Sequence, residues 1–164
     1  MSPSRDPLSP FAPPVRRWFE SVFPSATAAQ TAGWPAITRG QSTLILAPTG
    51  SGKTLAAFLA SLNHLMFDPA PPTRARCRVL YVSPLKALAV DVERNLRAPL
   101  VGISQAARAM EVPFTDPIVW TRTGDTPADE RARFARQPPD ILITTPESLY
   151  LMLTSNARTA LACL

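Results

Sequence analysis

The sequence is short of the residues that build metal sites and covalent frameworks. Its 164 residues hold two cysteines and one histidine. Cys77 and Cys163 show no metal-ligand spacing, and reduced thiols are the expected state rather than a disulfide. His64 falls late in a helical stretch, where the helix dipole favours it without any ligand role. No apolar run approaches the ~20 residues that span a bilayer. The amino terminus has no apolar core of the kind that marks a signal peptide. A soluble cytoplasmic protein with no membrane partner is the expectation. Lysine is scarce as well: Lys53 and Lys86 are the only two among 17 lysines and arginines. The net charge of +5 and the pI near 10.0 suit a polyanionic partner, and equally an arginine-rich composition with no such partner.

Proline is the exception, with 19 residues. Five of them (Pro3, Pro7, Pro10, Pro13, Pro14) crowd the first 14 positions. Residues 1–14 therefore read as a disordered or extended lead, and residues 15–164 as one domain. The hydrophobic fraction of 46% and the length are enough for a core.

Within the domain, Phe19, Val22 and Phe23 fall at helical spacing, and Pro24 closes that turn. "ATAAQTAGWPAI" predicts a second helix, broken near Gly33 to Pro35. "STLILA" is a compact strand candidate. From Lys53 onward Leu55, Phe58, Leu59, Leu62 and Leu65 recur at three and four, the pattern of a helix packing one face. "CRVLYVSP" predicts a strand covered on both faces, and "LKALAVDVERNLRAPL" a helix with Glu93 and Arg97 spaced for an ion pair. "PIVWTRTGD" predicts a third strand and "TPADERARFARQ" a polar helix with Thr126 as its cap. "PDILITTPES" is a fourth strand and "ESLYLMLTS" its helix. Four strand–helix repeats imply an α/β fold with a parallel sheet. In such sheets ligands gather at the carboxyl ends of the strands, so the four loops there are expected to share one rim.

The first of these loops, "APTGSGKT", has the chemistry of a phosphate cradle. Gly50 and Gly52 permit the tight turn that aims backbone N–H groups inward. The helix that follows presents its N-terminus to the anion. Lys53 supplies charge to the terminal phosphates, and the Thr54 hydroxyl suits a magnesium ion. Pro48, Thr49 and Ser51 complete the candidate nucleotide-binding set. Ala47 stands where the general pattern has glycine, a form shared by many helicase-type loops. A glycine turn before a lysine-headed helix is the plainer reading, and the flanking strand and helix weigh against it.

"APTGSGKT", "SPLKALAVDVERNL", "TRTGDT" and "ILITTPESLYLML", in this order, resemble the first motor domain of superfamily 2 helicases. Among these the sequence is most similar to the large helicase-related (Lhr-type) family of bacterial DNA-dependent ATPases. The resemblance covers residues 15–164 and implies a RecA-like, three-layer domain with a parallel sheet, incomplete toward its C-terminus. It implies ATP and Mg2+ as ligands and single-stranded DNA or an RNA–DNA duplex as partner. A second RecA-like domain is implied in an intact parent. By that resemblance Gln30 reads the adenine edge, for which its amide has the right donors and acceptor. Ser83, Pro84, Leu85 and Lys86 track the strand backbone, as do Thr144, Thr145, Pro146 and Glu147. Arg122, Thr123, Gly124 and Asp125 form an intervening nucleic-acid motif. Taken alone, "SPLK" and "TTPE" are ordinary capped helix starts, and a helix start is itself an anion site. Arg122 alone could be a solvated charge, and Arg131, Arg133 and Arg136 read as the wet face of a helix.

Hydrolysis also needs an acidic pair to hold magnesium and orient the attacking water. No apolar run here ends in such a pair, since Asp129 and Glu130 sit in a polar helical stretch. The expectation is nucleotide and nucleic-acid binding without turnover by this chain, and marginal stability through an exposed sheet edge. A non-catalytic binding module, or an unrelated phosphate-loop kinase or transporter ATPase, are the alternatives the residues leave open.

Overall fold

The computed structural model describes residues 6–69, 71–72, 76–162 and 164; Cys163 and residues 1–5 lie outside them. The chain divides into two compact units, Met1–Phe67 with Pro99–Phe114, and Asp68–Ala98 with Thr115–Leu164.

The first unit is helical. It contains α1 (Pro13–Val22), α2 (Ala28–Ile37), α3 (Lys53–Phe67) and the latter part of α4 (Lys86–Ala109). Its core forms around Trp34, which is fully buried. The Phe11 and Phe19 rings meet Trp34 edge-on, with centroids at 5.0 and 5.5 Å. The Trp34 indole N–H donates to the Ala56 carbonyl at 3.1 Å, tying α2 to α3. The break expected at Gly33 to Pro35 does not occur, and α2 runs through both residues. Pro35 removes one helical N–H, but burial of Trp34 at the neighbouring position holds the turn.

The proline-rich lead differs from its expectation wherever it is described. Leu8 and Phe11 are buried, the Ala12 N–H donates to Asn63 Oδ1 at 2.7 Å, and Asp6 pairs with Arg16 at 2.7 Å. Two apolar side chains among the prolines give the segment something to bury, and composition alone did not weigh them.

The second unit carries a three-stranded parallel sheet of β1 (Val79–Val82), β2 (Val119–Arg122) and β3 (Ile141–Thr144), in the order β1-β3-β2. Leu80, Leu142 and Trp120 share one register row. On that face they pack with Phe134 of α5 (Ala128–Arg136), Met152 of α6 (Pro146–Leu153), and Ala160 and Leu161 of a 3-10 helix (Asn156–Leu161). Cys77 is buried in this cluster. On β2, Thr121 donates to Glu93 of α4 at 2.7 Å. The central strand β3 is buried throughout. β1 is only partly covered, less than its apolar run predicts, because it is an edge of this sheet.

Asp140 ties the strand starts together. Its carboxylate takes Arg76 through two bonds of 3.2 and 2.9 Å and accepts the Ile118 N–H at 2.8 Å. Arg78 lies 3.7 Å away. The Asp140 backbone carbonyl receives the N–H groups of Arg78 and Val79. One buried residue thus fixes the registers of β1 and β2 on β3.

The strand expected at "STLILA" is absent from the described sheet. Residues 41–48 are irregular, and Leu44 and Leu46 are 83% and 85% exposed. Ile45 is half-buried, against Gly33 of α2. A strand exists by pairing its backbone, and no described strand pairs with this segment.

Candidate nucleotide and nucleic-acid sites

In the first unit the glycine loop is braced from α2. Thr27 and Gln30 form a reciprocal cap: the Thr27 hydroxyl accepts the Gln30 N–H at 3.3 Å, and Gln30 Oε1 accepts the Thr27 N–H at 2.9 Å. Both side chains then reach the loop. Thr27 Oγ1 donates to the Ser51 carbonyl at 2.8 Å, and Gln30 Nε2 lies 3.5 Å from the Gly52 carbonyl. Gln30, expected at an adenine edge, is buried with its amide turned to Thr27 and Gly52. One amide hydrogen and one lone pair remain for another partner. Thr27 was not singled out in the sequence, although the T-x-x-Q spacing of a capping box was there to read.

The loop conformation follows from two glycines. Gly50 and Gly52 sit at φ of 81° and 80°, the left-handed region that costs a side chain about 1–2 kcal/mol. A Cβ on Gly52 would also fall 2.6 Å from Gln30 Nε2. Beyond Gly52 the first turn of α3 carries no acid, so its free N–H groups and dipole are unopposed. Lys53 bends back, its ammonium donating to the carbonyls of Ala47 and, at 2.6 Å, Pro48. The Ser51 hydroxyl is buried with no hydrogen-bond partner among the described residues. Pro48, Thr49, Gly50 and Thr54 are exposed. An oligophosphate fits this arrangement: its oxygens would meet the helix start and the orphaned hydroxyl, and would draw Lys53 off the two carbonyls. For Mg2+ the loop offers the Thr54 hydroxyl. No group of three or more His, Cys, Asp or Glu that could hold a metal occurs among the described residues, which leaves phosphate and water oxygens to complete such a shell.

In the second unit the parallel register places the ends of β1, β2 and β3 on one edge, with Val82 and Arg122 both level with Thr144. The two predicted strand-tracking motifs and the intervening one therefore meet there, but their side chains divide. Ser83 is buried, its N–H on the Thr144 carbonyl and its hydroxyl on the Leu85 carbonyl. Thr144 is buried and donates to the Arg122 carbonyl at 2.7 Å. Thr145 is buried and caps α6, pairing with Ser148. These three hold the edge together. Pro84, Leu85, Lys86, Gly124, Pro146 and Glu147 are exposed on it.

Arg122 departs from the picture of a solvated charge. Its guanidinium lies 5.1 Å from the Phe134 ring, and Nη1 is buried without a hydrogen-bond partner among the described residues. Burial, with a smaller push from Arg131, lowers its pKa from the ordinary value, yet an arginine stays charged at neutral pH. It lines a cavity of about 320 Å³ beside β2, with Glu93, Thr126, Glu130 and Arg133. Arg133, read as wet surface, covers Trp120 at 5.0 Å. Thr126, expected to cap α5, instead holds the turn before it, accepting the Thr123 N–H at 2.9 Å. The residue at that turn's tip, Asp125, belongs to the same predicted motif. It pairs with Lys86 at 2.5 Å.

Residues 27–163 match the DEAD/DEAH box helicase family. The chain is 54% identical over 156 residues to the Lhr helicase/probable uracil glycosylase of Mycolicibacterium smegmatis, covering 95% of this chain and 10% of that protein. It is 51% identical over 156 residues to the Lhr helicase/uracil glycosylase of Escherichia coli, covering 92% and 10%. The solved structure of Mycobacterium smegmatis helicase Lhr bound to ssDNA and AMP-PNP aligns with a TM-score of 0.90 at 53% identity, over 96% of this chain and 20% of that one. The chain thus spans about a tenth of the length of these two curated relatives. Its parallel sheet with flanking helices is the RecA-like architecture of helicase domains. No helix among the described residues is long and apolar enough to cross a membrane.

Proposed function

Because the chain belongs to the DEAD/DEAH box helicase family, we propose that it supplies the ATP-binding and strand-binding surfaces of an ATP-dependent DNA helicase or translocase. The observation that carries this reading is the glycine loop: two left-handed glycines, an acid-free helix start and Lys53 at its mouth. In this role the backbone of Pro48 to Thr54 surrounds the triphosphate. Lys53 exchanges the Ala47 and Pro48 carbonyls for phosphate oxygens, and Thr54 contributes its hydroxyl to Mg2+, which neutralises phosphate charge when bound. Gln30 holds the loop and offers its remaining amide hydrogen and lone pair to adenine. Similarity to a helicase whose structure carries ssDNA and AMP-PNP supports both ligands.

The strand-binding part rests on the sheet edge of the second unit. Lys86 with the start of α4, Gly124 after β2, and Pro146 and Glu147 at the start of α6 face outward there, with Thr123 half-buried beside them. Backbone phosphates of single-stranded DNA, or of one strand of an RNA–DNA duplex, meet N–H groups and the Lys86 charge. Ser83, Arg122, Thr144 and Thr145 support this edge from within. Converting hydrolysis to movement is the task of a parent protein with a second RecA-like domain. Asp129 and Glu130 lie in the first turn of α5, not at a strand end, so this chain is expected to bind without turnover.

Titration of a fluorescent ATP analogue tests the binding part. Lys53→Ala removes a charge-assisted contact worth about 1.5–3 kcal/mol, or roughly 10–100-fold in affinity. Unchanged affinity would remove the loop from nucleotide binding. Phosphate release with and without single-stranded DNA tests the second part, and turnover by the 164-residue chain would overturn it.

A further inference from the structure

The exposed edge of the sheet carries one cation and one carboxylate that the strand-binding role does not explain together. Lys86 opens α4 after β1, and Asp125 sits at the tip of the turn after β2. These strands lie on opposite sides of β3, about 10 Å apart at ordinary strand spacing. The ion pair of 2.5 Å therefore spans the end of β3. The turn that presents Asp125 is held at both ends: the Thr123 N–H donates to Thr126 Oγ1 at 2.9 Å, and the Thr126 N–H to the Thr123 carbonyl at 3.2 Å. Asp125 is thus aimed, not merely nearby. Both side chains are more than half exposed, at 55% for Lys86 and 77% for Asp125, so the pair contributes little to folding. Its position matters more than its stability.

We propose that Asp125 is a built-in competitor for the nucleic-acid phosphate at Lys86, so that the strand must displace a carboxylate to take this contact. The proposal rests on the strand-binding reading above and adds its regulation. A lysine has three donors on a compact charge, and one is turned across the sheet to Asp125. The carboxylate also places a negative charge beside the helix start that would receive a phosphate. An isolated small anion gains little by displacing it. A polynucleotide held by neighbouring contacts presents phosphate at high local concentration and displaces it. Asp125 thereby sets a threshold favouring long single strands over free phosphate or mononucleotides.

Binding of labelled oligo-dT to the 164-residue chain, measured between about 50 and 200 mM salt, tests this with four variants. Asp125→Asn keeps the side-chain shape and removes the competing charge. It should bind about threefold tighter at low salt, the scale of an exposed ion pair. Its dependence on log salt should steepen by up to about 0.7, the slope for one additional single-strand phosphate contact. Lys86→Ala should bind more weakly, and Lys86→Ala with Asp125→Asn should show no gain over Lys86→Ala alone. Asp129→Asn removes an equal charge from α5 of the same unit and should leave affinity near wild type. Asp125→Asn binding no tighter than wild type, or a gain that persists without Lys86 or is matched by Asp129→Asn, would overturn the proposal. Unchanged binding by Lys86→Ala would instead sink the strand-binding reading, and the competitor with it.

Discussion

Replacing Asp140 by alanine is expected to loosen the whole sheet of the second unit from one point. The carboxylate is buried, accepts two bonds from Arg76 and one from the Ile118 N–H, and faces Arg78 at 3.7 Å. Losing the Arg76 pair costs about 1.5–3 kcal/mol, and leaving the Ile118 N–H without its acceptor costs about 1–3 kcal/mol. Arg78 Nε and Nη2 are already buried without hydrogen bonds to the described residues, so the carboxylate at 3.7 Å that offsets that guanidinium's charge also disappears. Arg76 and Arg78 remain about a quarter exposed and recover some hydration, which brings the total to about 2–4 kcal/mol rather than the full sum. Asp140→Asn retains an oxygen for Ile118 and should cost about half as much. With a urea slope of about 2 kcal/mol per molar, Asp140→Ala lowers the midpoint by roughly 1–2 M, read by circular dichroism. A shift below about 0.3 M, or equal shifts for alanine and asparagine, would refute the role assigned to this carboxylate.

Two further outcomes follow from the first unit. Gly52→Ala forces a side chain into left-handed backbone and against Gln30 Nε2; nucleotide affinity should fall at least tenfold while helical circular dichroism stays near wild type, and retained affinity would mean the loop works in another conformation. Trp34→Ala removes the ring that joins Phe11, Phe19 and the Ala56 carbonyl and should cost about 3–5 kcal/mol. Trp34→Phe keeps most of the packing and should cost near 1 kcal/mol for the lost bond, measured as a difference in thermal midpoint.

How much was legible depended on the range over which each feature is decided. The glycine loop could be read because left-handed backbone, a helix start and a following lysine are local events. The order of sheet and helix from Val79 onward was legible for the same reason, since period two and period three to four are set by neighbours along the chain. The capping box at Thr27 and Gln30 was equally local, but its second use, gripping Ser51 and Gly52, depends on α2 lying against α3. Sequence alone therefore left Gln30 as a reader of adenine and passed over Thr27.

Helix and turn propensities and the left-handed glycines of the loop were written in the chain, because each is satisfied within a few residues. Only the tertiary structure decided which strands pair, which hydroxyls face inward and which charges meet. "STLILA" has the composition of a strand, yet Leu44 and Leu46 stay exposed, because pairing requires a neighbour that no local pattern supplies. Ser83, Thr144 and Thr145 turn into the edge they had been expected to expose. Lys86 and Asp125 meet although 39 positions separate them. Backbone conformation is fixed by short-range sterics, whereas pairing and burial depend on groups brought together from distant parts of the sequence.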